Sequence, residues 1–443
     1  MELSRRNFIR QNAVATAGIG MATVLPSGIW KSAVAPSDKV NVALIGCRNM
    51  GFGILTHHLS NTDVNCVALC DIDENILNEK AAEIRSKHNQ NPKLYKDFRK
   101  LLEQKDIDAV IIGTPDHWHC LQYIYALQAE KDVYVEKPMA NSIGEVNLMV
   151  KAASRYNKRV IQIGQQQRSG FIFGKAMELV KSGKIGNLRK INVWANFEYG
   201  VGPEIVPDEA VPAGVDYDMW LGPAPERPYN KNRFHGSWRH FWDYGGGLMS
   251  DWGVHLIDIA LWSNNRLQGP EKVMVYGDNT FKEKRARETF DSMTVSFPGS
   301  KLVINWDMTA GVQRGPYDLP YGLAFVGDNA TLVVNRSKLT VYPEWDNKEK
   351  KAKAEEYTFT DGKESHGEHV RNFIDCIKNR SKTACTPDMG RAAALHVHMA
   401  NIAARVGEPV LLWDEAKGIF TNSSAANALI TPAYRKPWTL PVI

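Results

Sequence analysis

Residues 246–258 contain the side chains best suited to proton transfer. The segment reads Gly-Gly-Leu-Met-Ser-Asp-Trp-Gly-Val-His-Leu-Ile-Asp and places Asp251, His255 and Asp258 at positions i, i+4 and i+7. On a helix this spacing puts the three side chains on one stripe. A carboxylate beside a histidine orients the ring and supports its charged form, which suits proton transfer near neutral pH. Isolated Asp–His pairs of this kind also occur as purely structural contacts. The sequence patterns that lie N-terminal to this segment therefore decide whether the pair is interpreted as catalytic.

The first of those patterns is a nucleotide-binding turn. The apolar run 42–45 ends at Gly46 and leads into a helical segment that contains Gly51. Gly46 permits a tight turn, Gly51 permits close helix–strand packing, and phosphate would bind amides at the helix N-terminus. Arg48 replaces the middle glycine of the usual Gly-x-Gly-x-x-Gly and could add its own charge to phosphate binding. The predicted cofactor contacts on this turn are Gly46, Arg48, Asn49, Met50 and Gly51.

Asp71 predicts which dinucleotide the turn serves. It ends the second apolar run, twenty residues after Gly51. A carboxylate at this place accepts hydrogen bonds from ribose hydroxyls and repels a 2′-phosphate. Its neighbours Cys70 and Ile72 supply no compensating cation. The sequence therefore predicts NAD rather than NADP, with Asp71 as a further cofactor contact.

Two more polar segments follow apolar runs of the same set. Residues 113–119 read Gly-Thr-Pro-Asp-His-Trp-His, and residues 136–138 read Glu-Lys-Pro. Open α/β sheets bind ligands at the carboxyl ends of their strands, although Asp116 could simply cap a helix. His117 and His119 have no third ligand at a convincing spacing, so we predict no metal site. The predicted cofactor contacts here are Thr114, Pro115, His117, Trp118, His119, Glu136 and Lys137, together with Gln165 after the last strand.

In combination these motifs resemble the glucose–fructose oxidoreductase / inositol dehydrogenase (Gfo/Idh/MocA) family. Thr-Pro-x-His-x-His, Glu-Lys-Pro and a Gly-Gly segment leading to Asp-x-x-x-His carry the resemblance over about 38–262. It implies a Rossmann domain with NAD(P), an open second-domain sheet that often makes oligomer contacts, and sugar or polyol substrates. By motif match, Lys137 would hold the reacting hydroxyl, Asp251 would orient or support the base, and His255 would accept the hydroxyl proton. Hydride loss from a hydroxyl-bearing carbon does need a base and a nearby cation.

Aromatic residues near the Asp251 segment bear on the substrate. Six of the twelve tryptophans fall between residues 194 and 262. Aromatic rings pack on the apolar faces of sugars, but more than half of these rings could instead fill the core of a large sheet. Arg239, His240 and Asp243 could add polar contacts. The predicted catalytic residues are Lys137, Asp251 and His255, and the predicted substrate contacts are Lys137, Arg168, Trp242, Asp251 and His255.

Composition excludes several other classes of protein. The chain has 443 residues, 44% of them hydrophobic and 23% charged, as in soluble two-domain proteins. Residues 1–35 carry four cations and one anion, which leaves +2 of the total +5 for the rest of the chain. Without clustered basic charge we expect no nucleic-acid binding. The six cysteines form no Cys-x-x-Cys and are too sparse for a disulfide framework.

The N-terminus resembles a bacterial twin-arginine signal, which directs folded proteins across the inner membrane. Arg5 and Arg6 precede a mild apolar run, 13–30, that contains Pro26 and is too short and interrupted for stable membrane insertion. Residues 33–35 (Ala-Val-Ala) fit a small-x-small cleavage pattern. We therefore predict a periplasmic or otherwise exported protein. A tightly held cofactor would explain export in the folded state.

The order of apolar runs predicts the domains. Strands alternate with helices up to residue 164, which predicts a doubly wound parallel sheet. Strand-like runs then predominate, which indicates an α+β domain with a large, mostly antiparallel open sheet. We predict a signal peptide at 1–35, an NAD-binding Rossmann domain at 36–164, and a substrate-binding domain at 165–443 that makes homo-oligomer contacts. Residues 407–443 are predicted to be a proline-punctuated tail.

Three functions remain open from the sequence. The first is an exported NAD-dependent oxidoreductase acting on a sugar or glycoside. The second is a glycoside hydrolase that oxidises a ring carbon, eliminates the aglycone, adds water and reduces again, which would suit an exported enzyme without a free NAD pool. Lys137 argues against it, because hydrolytic relatives often lack that lysine. The third is a non-catalytic NAD-binding module, against which Lys137, Asp251 and His255 argue together.

Overall fold

The computed structural model describes residues 38–362 and 365–443. The predicted export signal, 1–35, lies outside the described residues. Among the helices of the described residues, none is both long and apolar enough to cross a membrane. Residues 39–443 form one compact unit built on two large sheets.

The first sheet is parallel throughout. Its strands are β1 (Val40–Ile45), β2 (Val64–Cys70), β3 (Lys93–Tyr95), β4 (Ala109–Ile112), β5 (Asp132–Val135) and β6 (Ile161–Ile163). The helices between them are α1 (Asn49–Leu59), α2 (Glu74–His88), α3 (Phe98–Leu102), α4 (Asp116–Gln128) and α5 (Ile143–Arg155). The strand order is β3-β2-β1-β4-β5-β6, which confirms the predicted doubly wound sheet. The order reverses between β1 and β4, the place where such sheets bind ligands.

Burial explains which strands of this sheet could be predicted from the sequence. Every residue of β4 and β5 is buried, because helices cover both faces of a parallel sheet and leave a continuous apolar run. The edge strand β3 has two exposed residues and one half-buried residue, and it was not predicted. Side chains also fix helix starts: Asp73, Asp97 and Ser142 cap α2, α3 and α5.

The second sheet is large and mostly antiparallel, as predicted. Its strands are β7 (Leu188–Phe197), β8 (Lys272–Asp278), β9 (Ser292–Pro298), β10 (Val303–Ala310), β11 (Tyr321–Gly327), β12 (Ala330–Val334), β13 (Lys338–Pro343), β16 (Tyr357–Thr360), β17 (Val410–Asp414) and β18 (Ile419–Phe420). Their order is β16-β13-β12-β11-β7-β10-β9-β8-β17-β18, and only β7 and β10 pair in parallel. A small separate hairpin joins β14 (Trp345–Asp346) to β15 (Lys351–Ala352).

Helices and short turns complete the second half. The helices are α6 (Phe171–Lys181), α7 (Tyr217–Leu221), α8 (Val254–Ser263), α9 (His366–Asn379), α10 (Pro387–Val406) and α11 (Ser424–Ala428). A π-helical turn, Met249–Gly253, leads directly into α8. The proline-punctuated tail at 407–443 contains β17, β18 and α11. In β17 Leu411 and Trp413 are buried while Leu412 is exposed, so one face of the strand packs.

Helix α9 joins the first sheet although it lies late in the chain. Its residues Val370, Phe373 and Ile374 are fully buried in one cluster with Val42 and Leu44 of β1. Burial of these side chains stabilises the contact by the hydrophobic effect. The chain therefore returns to the first domain after building most of the second, and the N-terminus of α9 reaches the cavity described next.

Candidate active site

A cavity of about 340 Å³ lies where the two halves of the chain meet. One wall comes from the carboxyl ends of strands in the parallel sheet and includes Gly46, Thr114 and Lys137. The other comes from the second half and includes Asp251 and His255. Polar groups converge in this cavity, as in ligand sites generally.

The glycine turn forms a backbone cradle at one end of this cavity. Gly46 has a φ of +89°, and its amide donates to the Cys70 carbonyl at 2.9 Å. A Cβ would lie 2.8 Å from the Gly113 carbonyl carbon if placed on Gly46, and 2.2 Å from the Gly46 oxygen if placed on Gly51. Both positions therefore require glycine. The space they keep open at the N-terminus of α1, beside Arg48, fits a dinucleotide pyrophosphate.

Asp71 lines the cavity at the end of β2. Its Oδ2 accepts from the Cys47 amide at 2.6 Å, and its Oδ1 accepts from the Asp73 amide at 3.0 Å. Burial raises the pKa of the Asp71 carboxyl, and the two backbone donors oppose that rise. Lys96 also lines the cavity, but its ammonium pairs with Glu74 at 2.6 Å. This environment fits recognition of an unphosphorylated ribose.

We expect tighter binding of NAD than of NADP for this reason. Replacing Asp71 with serine and Ile72 with arginine should reduce the ratio of NAD affinity to NADP affinity by about tenfold, or about 1.4 kcal/mol. The double substitution removes the repulsion between the Asp71 carboxylate and the 2′-phosphate of NADP, and it adds an arginine cation. Fluorescence titration with both dinucleotides measures the effect, and Ile72→Arg alone is the matched control. Equal affinity of the unmodified protein for NAD and NADP would show that Asp71 does not discriminate.

Lys137 and Asp251 form the charged centre of the cavity. Lys137 Nζ donates to Asp251 Oδ1 at 2.6 Å and to the Asp251 carbonyl at 3.0 Å. Arg239 Nε donates to the same Oδ1 at 3.2 Å. Burial raises the pKa of the Asp251 carboxyl, but the Lys137 and Arg239 cations outweigh it and hold that pKa below its usual range. Asp251 therefore remains ionised and keeps Lys137 in place.

The structure corrects the predicted Asp251–His255–Asp258 stripe. Asp251 lies in the π-helical turn and His255 in α8, so the segment is not one regular α-helix. Among the hydrogen bonds of the described residues, Asp251 makes none to His255. Asp258 is buried and accepts three hydrogen bonds from Arg168 at 2.7–3.0 Å. Asp251 and Asp258 therefore pair with different residues: Asp251 with Lys137 and Arg239, and Asp258 with Arg168.

His255 is paired instead with a glutamine. Because the Arg336 guanidinium can only donate, the Gln167 amide is assigned with its oxygen accepting from Arg336 Nη2 at 2.7 Å and its nitrogen donating to His255 Nδ1 at 2.7 Å. Burial, followed by the charges of Lys137 and Arg336, holds the pKa of His255 well below its usual value. The ring is therefore neutral at physiological pH and only 5% exposed, at the cavity wall.

Most of the predicted site residues meet at this one cavity. Those that line it are Gly46, Arg48, Asn49, Met50, Asp71, Thr114, Pro115, Trp118, Glu136, Lys137, Asp251 and His255. Those that do not are Gly51, His117, His119, Gln165, Arg168 and Trp242. Gly51 does not line the cavity itself, but its close packing against Gly46 supports the turn that does.

Contacts with other protein groups explain why the other five of these residues do not line the cavity. His117 Nε2 bonds to the Trp220 carbonyl at 3.0 Å, and the His119 nitrogens lie 2.8 and 2.9 Å from the Pro138 and Thr114 carbonyls. Gln165 donates to the Val254 carbonyl at 3.3 Å. The guanidinium of Arg168 is occupied by Asp258, and Trp242 lies 4.8 Å under the Arg405 guanidinium. The structure therefore gives these residues protein contacts away from the cavity wall, and their ligand contacts stay predictions.

Several cavity residues were not predicted as contacts. They include Trp220, His235, Trp238, Arg239, Trp252, Arg336 and His366, together with Asp116. Arg239 had been considered as a polar contact, and the tryptophans were part of the aromatic concentration at 194–262. Gln167 and Arg336 lie 169 positions apart in the chain, and nothing in their local sequence connects them.

Family models match nearly all of the described chain. A model described as "Oxidoreductase family, NAD-binding Rossmann fold" (GFO_IDH_MocA) matches residues 40–164. A model described as "Oxidoreductase family, C-terminal alpha/beta domain" (GFO_IDH_MocA_C2) matches residues 169–440. The predicted cofactor, NAD, is confirmed by the first match, and the cradle at Gly46 and Gly51 fits it.

Curated relatives carry the name glycosyl hydrolase family 109 protein. One from Shewanella baltica is 29% identical over 205 residues, covering 42% of this chain and 44% of the relative. One from Saccharopolyspora erythraea is 24% identical over 259 residues, covering 55% of this chain and 51% of the relative. The chain thus matches about half the length of these relatives.

Solved structures share the fold across both domains. A levoglucosan dehydrogenase in complex with NADH and levoglucosan has a TM-score of 0.64 at 16% identity, with 87% of this chain and 100% of that chain covered. The WlbA dehydrogenase from Bordetella pertussis, in complex with NADH and UDP-GlcNAcA, has a TM-score of 0.61 at 17% identity, with coverages of 85% and 99%. At these identities the likeness establishes the fold.

Proposed function

The chain belongs to the Gfo/Idh/MocA oxidoreductase family, and we propose that it transfers a hydride between NAD and a hydroxyl-bearing carbon of a sugar or glycoside. One observation carries this proposal: Lys137 and His255, from different halves of the chain, meet in the cavity that also contains the glycine cradle. Bound NAD would supply the hydride acceptor. The protein groups must then bind the substrate oxygen and move its proton.

Lys137 is placed to hold that oxygen. An ammonium group has three N–H donors, and two of them reach Asp251. The third is available for a substrate oxygen. Negative charge develops on this oxygen as its proton leaves, and a nearby cation stabilises it in a partly desolvated site. Asp251 and Arg239 preset the position of Lys137, so the group need not reorganise during the reaction.

Aromatic walls support a carbohydrate substrate. Trp220, Trp238 and Trp252 line the cavity. The Trp252 ring centroid lies 4.5 Å from that of Phe197 and 4.7 Å from that of Tyr321, so the ring is braced. Braced aromatic faces bind the apolar faces of sugar rings. The names of levoglucosan dehydrogenase and of WlbA with its UDP-sugar point to the same substrate class.

Absorbance of the purified protein tests the proposal. We expect candidate sugars and glycosides to change the absorbance in the reduced-nicotinamide band of NAD-loaded protein. A matched sample with Lys137→Ala should show this change far more slowly. No response to any sugar, polyol or glycoside would contradict the proposed activity.

A second candidate function is glycoside hydrolysis by transient oxidation. The similarity to glycosyl hydrolase family 109 proteins favours it, and so does Asp116. This carboxyl lines the cavity and receives no hydrogen bond from the described residues, and burial raises its pKa well above the usual value. A protonated carboxylic acid in the cavity is suited to protonating a leaving oxygen. Release of aglycone from a chromogenic glycoside, without net formation of reduced nicotinamide, would distinguish hydrolysis from dehydrogenation.

We also propose export through the twin-arginine route. Replacing Arg5 and Arg6 with lysine should abolish translocation and leave the protein inside the cell, because that route reads the arginine pair. Immunoblots of periplasmic and cytoplasmic fractions measure the distribution. A single Arg10→Lys variant is the control for loss of a guanidinium. Unchanged export of the double variant would refute the twin-arginine assignment.

Self-association through the second sheet is a related proposal. On β8 Met274 is 44% exposed and Tyr276 is 70% exposed, and both point to the same side of the strand. Large apolar side chains exposed together often mark interfaces. Light scattering of the purified protein should therefore give a mass above that of one chain, and Tyr276→Asp should reduce it.

A further inference from the structure

The hydrogen-bond chain from Arg336 through Gln167 to His255 has only one consistent orientation. Gln167 is 1% exposed, and its amide oxygen accepts from Arg336 Nη2 at 2.7 Å and from Nε at 3.0 Å. A guanidinium only donates, so the amide oxygen must face it. The amide nitrogen is thereby turned towards His255 Nδ1, at 2.7 Å.

This orientation determines which nitrogen of His255 carries the proton. An amide NH₂ group only donates, so His255 Nδ1 must accept. The neutral ring then carries its hydrogen on Nε2. A doubly protonated ring would place two donors against each other at Nδ1. Burial and the surrounding charged or titratable groups also disfavour it, and those groups are Lys137, Arg336, His366 and Arg239.

We infer that Gln167, held by Arg336, is a positioning residue that keeps His255 as a hydrogen-bond donor to the substrate oxygen and leaves Lys137 to exchange the hydroxyl proton. The inference rests on the proposed function. It reverses the role that the family resemblance implies for His255, which is to accept the hydroxyl proton. A histidine whose Nδ1 already accepts a hydrogen bond and whose Nε2 is protonated has no free lone pair for that proton.

The resulting step balances without another reactant. When the alcohol is oxidised, its C–H hydrogen leaves with both electrons for the nicotinamide. The O–H bond breaks, and its proton goes to Lys137 Nζ after the ammonium has released one of its own protons to solvent. A C=O bond forms, and His255 Nε2–H donates to its oxygen throughout. In the reverse direction the Lys137 ammonium returns the proton.

Nitrogen NMR of the NAD-loaded protein with labelled histidine tests the tautomer directly. We expect His255 to show an unprotonated Nδ1 and a protonated Nε2 at neutral pH, with assignment by loss of its signals in His255→Ala. Two other buried histidines are internal references. His369 Nε2 faces the Ile163 carbonyl at 2.9 Å and must be protonated there, whereas His396 Nδ1 faces the Ala392 carbonyl at 2.7 Å and must carry its hydrogen on Nδ1.

Two variants separate positioning from simple packing. Gln167→Glu offers His255 only acceptor oxygens, so Nδ1 should become protonated while the signals of His369 and His396 stay unchanged. Its rate of alcohol oxidation should gain a new acidic limb, because His255 can then titrate at Nε2. Arg336→Met frees the Gln167 amide to rotate and should give a mixture of both tautomers.

The outcomes distinguish this inference from the proposed function. A protonated Nδ1 in the unmodified protein would overturn the inference, whatever the activity. The expected tautomer together with no nicotinamide reduction by any sugar would leave the positioning of His255 intact and overturn the proposed function. If Gln167→Glu changed neither the tautomer nor the pH profile, Gln167 would not control His255.

Discussion

Replacing Lys137 with alanine is expected to lower turnover by about 10²–10⁴, the usual contribution of a positioned acid or base. The variant loses the amine that takes up the hydroxyl proton, and with it the cation that this amine becomes beside the substrate oxygen. The fold should survive, because Asp251 keeps Arg239 as a partner at 3.2 Å. Single-turnover reduction of bound NAD measures the loss, with NAD affinity and thermal stability determined on the same sample.

Lys137→Arg is the matched control for that result. Arginine restores the positive charge but does not give up its proton in proteins. Turnover should therefore remain low, although the ion pair with Asp251 is kept. Full activity of Lys137→Ala, or a loss explained entirely by weaker NAD binding, would contradict the proposed role of Lys137.

Replacing Asp258 with alanine is expected to destabilise the fold by about 3–5 kcal/mol, the cost of removing one partner from a buried ion pair. The side chains of Arg168 and Asp258 are 6% and 1% exposed. The variant would leave the Arg168 guanidinium buried, with the Trp262 ring 5.6 Å away as a weak partner. Urea unfolding followed by circular dichroism measures the free energy change.

The double variant Arg168→Met with Asp258→Leu provides the control. Apolar residues of similar volume often replace a buried ion pair without loss, so stability should return towards that of the unmodified protein. KM should then change little, since Arg168 does not line the cavity. A restored fold with a large rise in KM would support the original expectation that Arg168 binds substrate.

The parallel sheet was predictable because its strands are buried on both faces. Runs such as 109–112 are continuous in apolar residues, and the polar residues that follow them, such as Thr114 and Lys137, mark the ligand edge. The exposed edge strand β3 gave no such signal. The alternating burial of β17 was not predicted, because residues 407–443 were interpreted from their prolines.

The catalytic geometry was less predictable, because spacing along the chain does not specify partners across it. Asp251 and His255 were placed together by an assumed α-helix, but a π-helical turn and the nearby Lys137 and Arg239 give Asp251 different contacts. The pairing of Gln167 with Arg336 depends on how the chain after β12, which contains Arg336, meets the Gln166–Ser169 turn. No local pattern carries that information.

Single-turnover reduction of bound NAD by a substrate deuterated at the oxidised carbon tests the central claim most directly. The proposed hydride transfer predicts a primary isotope effect on the appearance of reduced nicotinamide. It also predicts slower reduction in His255→Ala, because one donor to the substrate oxygen is lost, with NAD binding largely retained. Sugars transformed without any transient nicotinamide reduction, or full activity of His255→Ala, would contradict it.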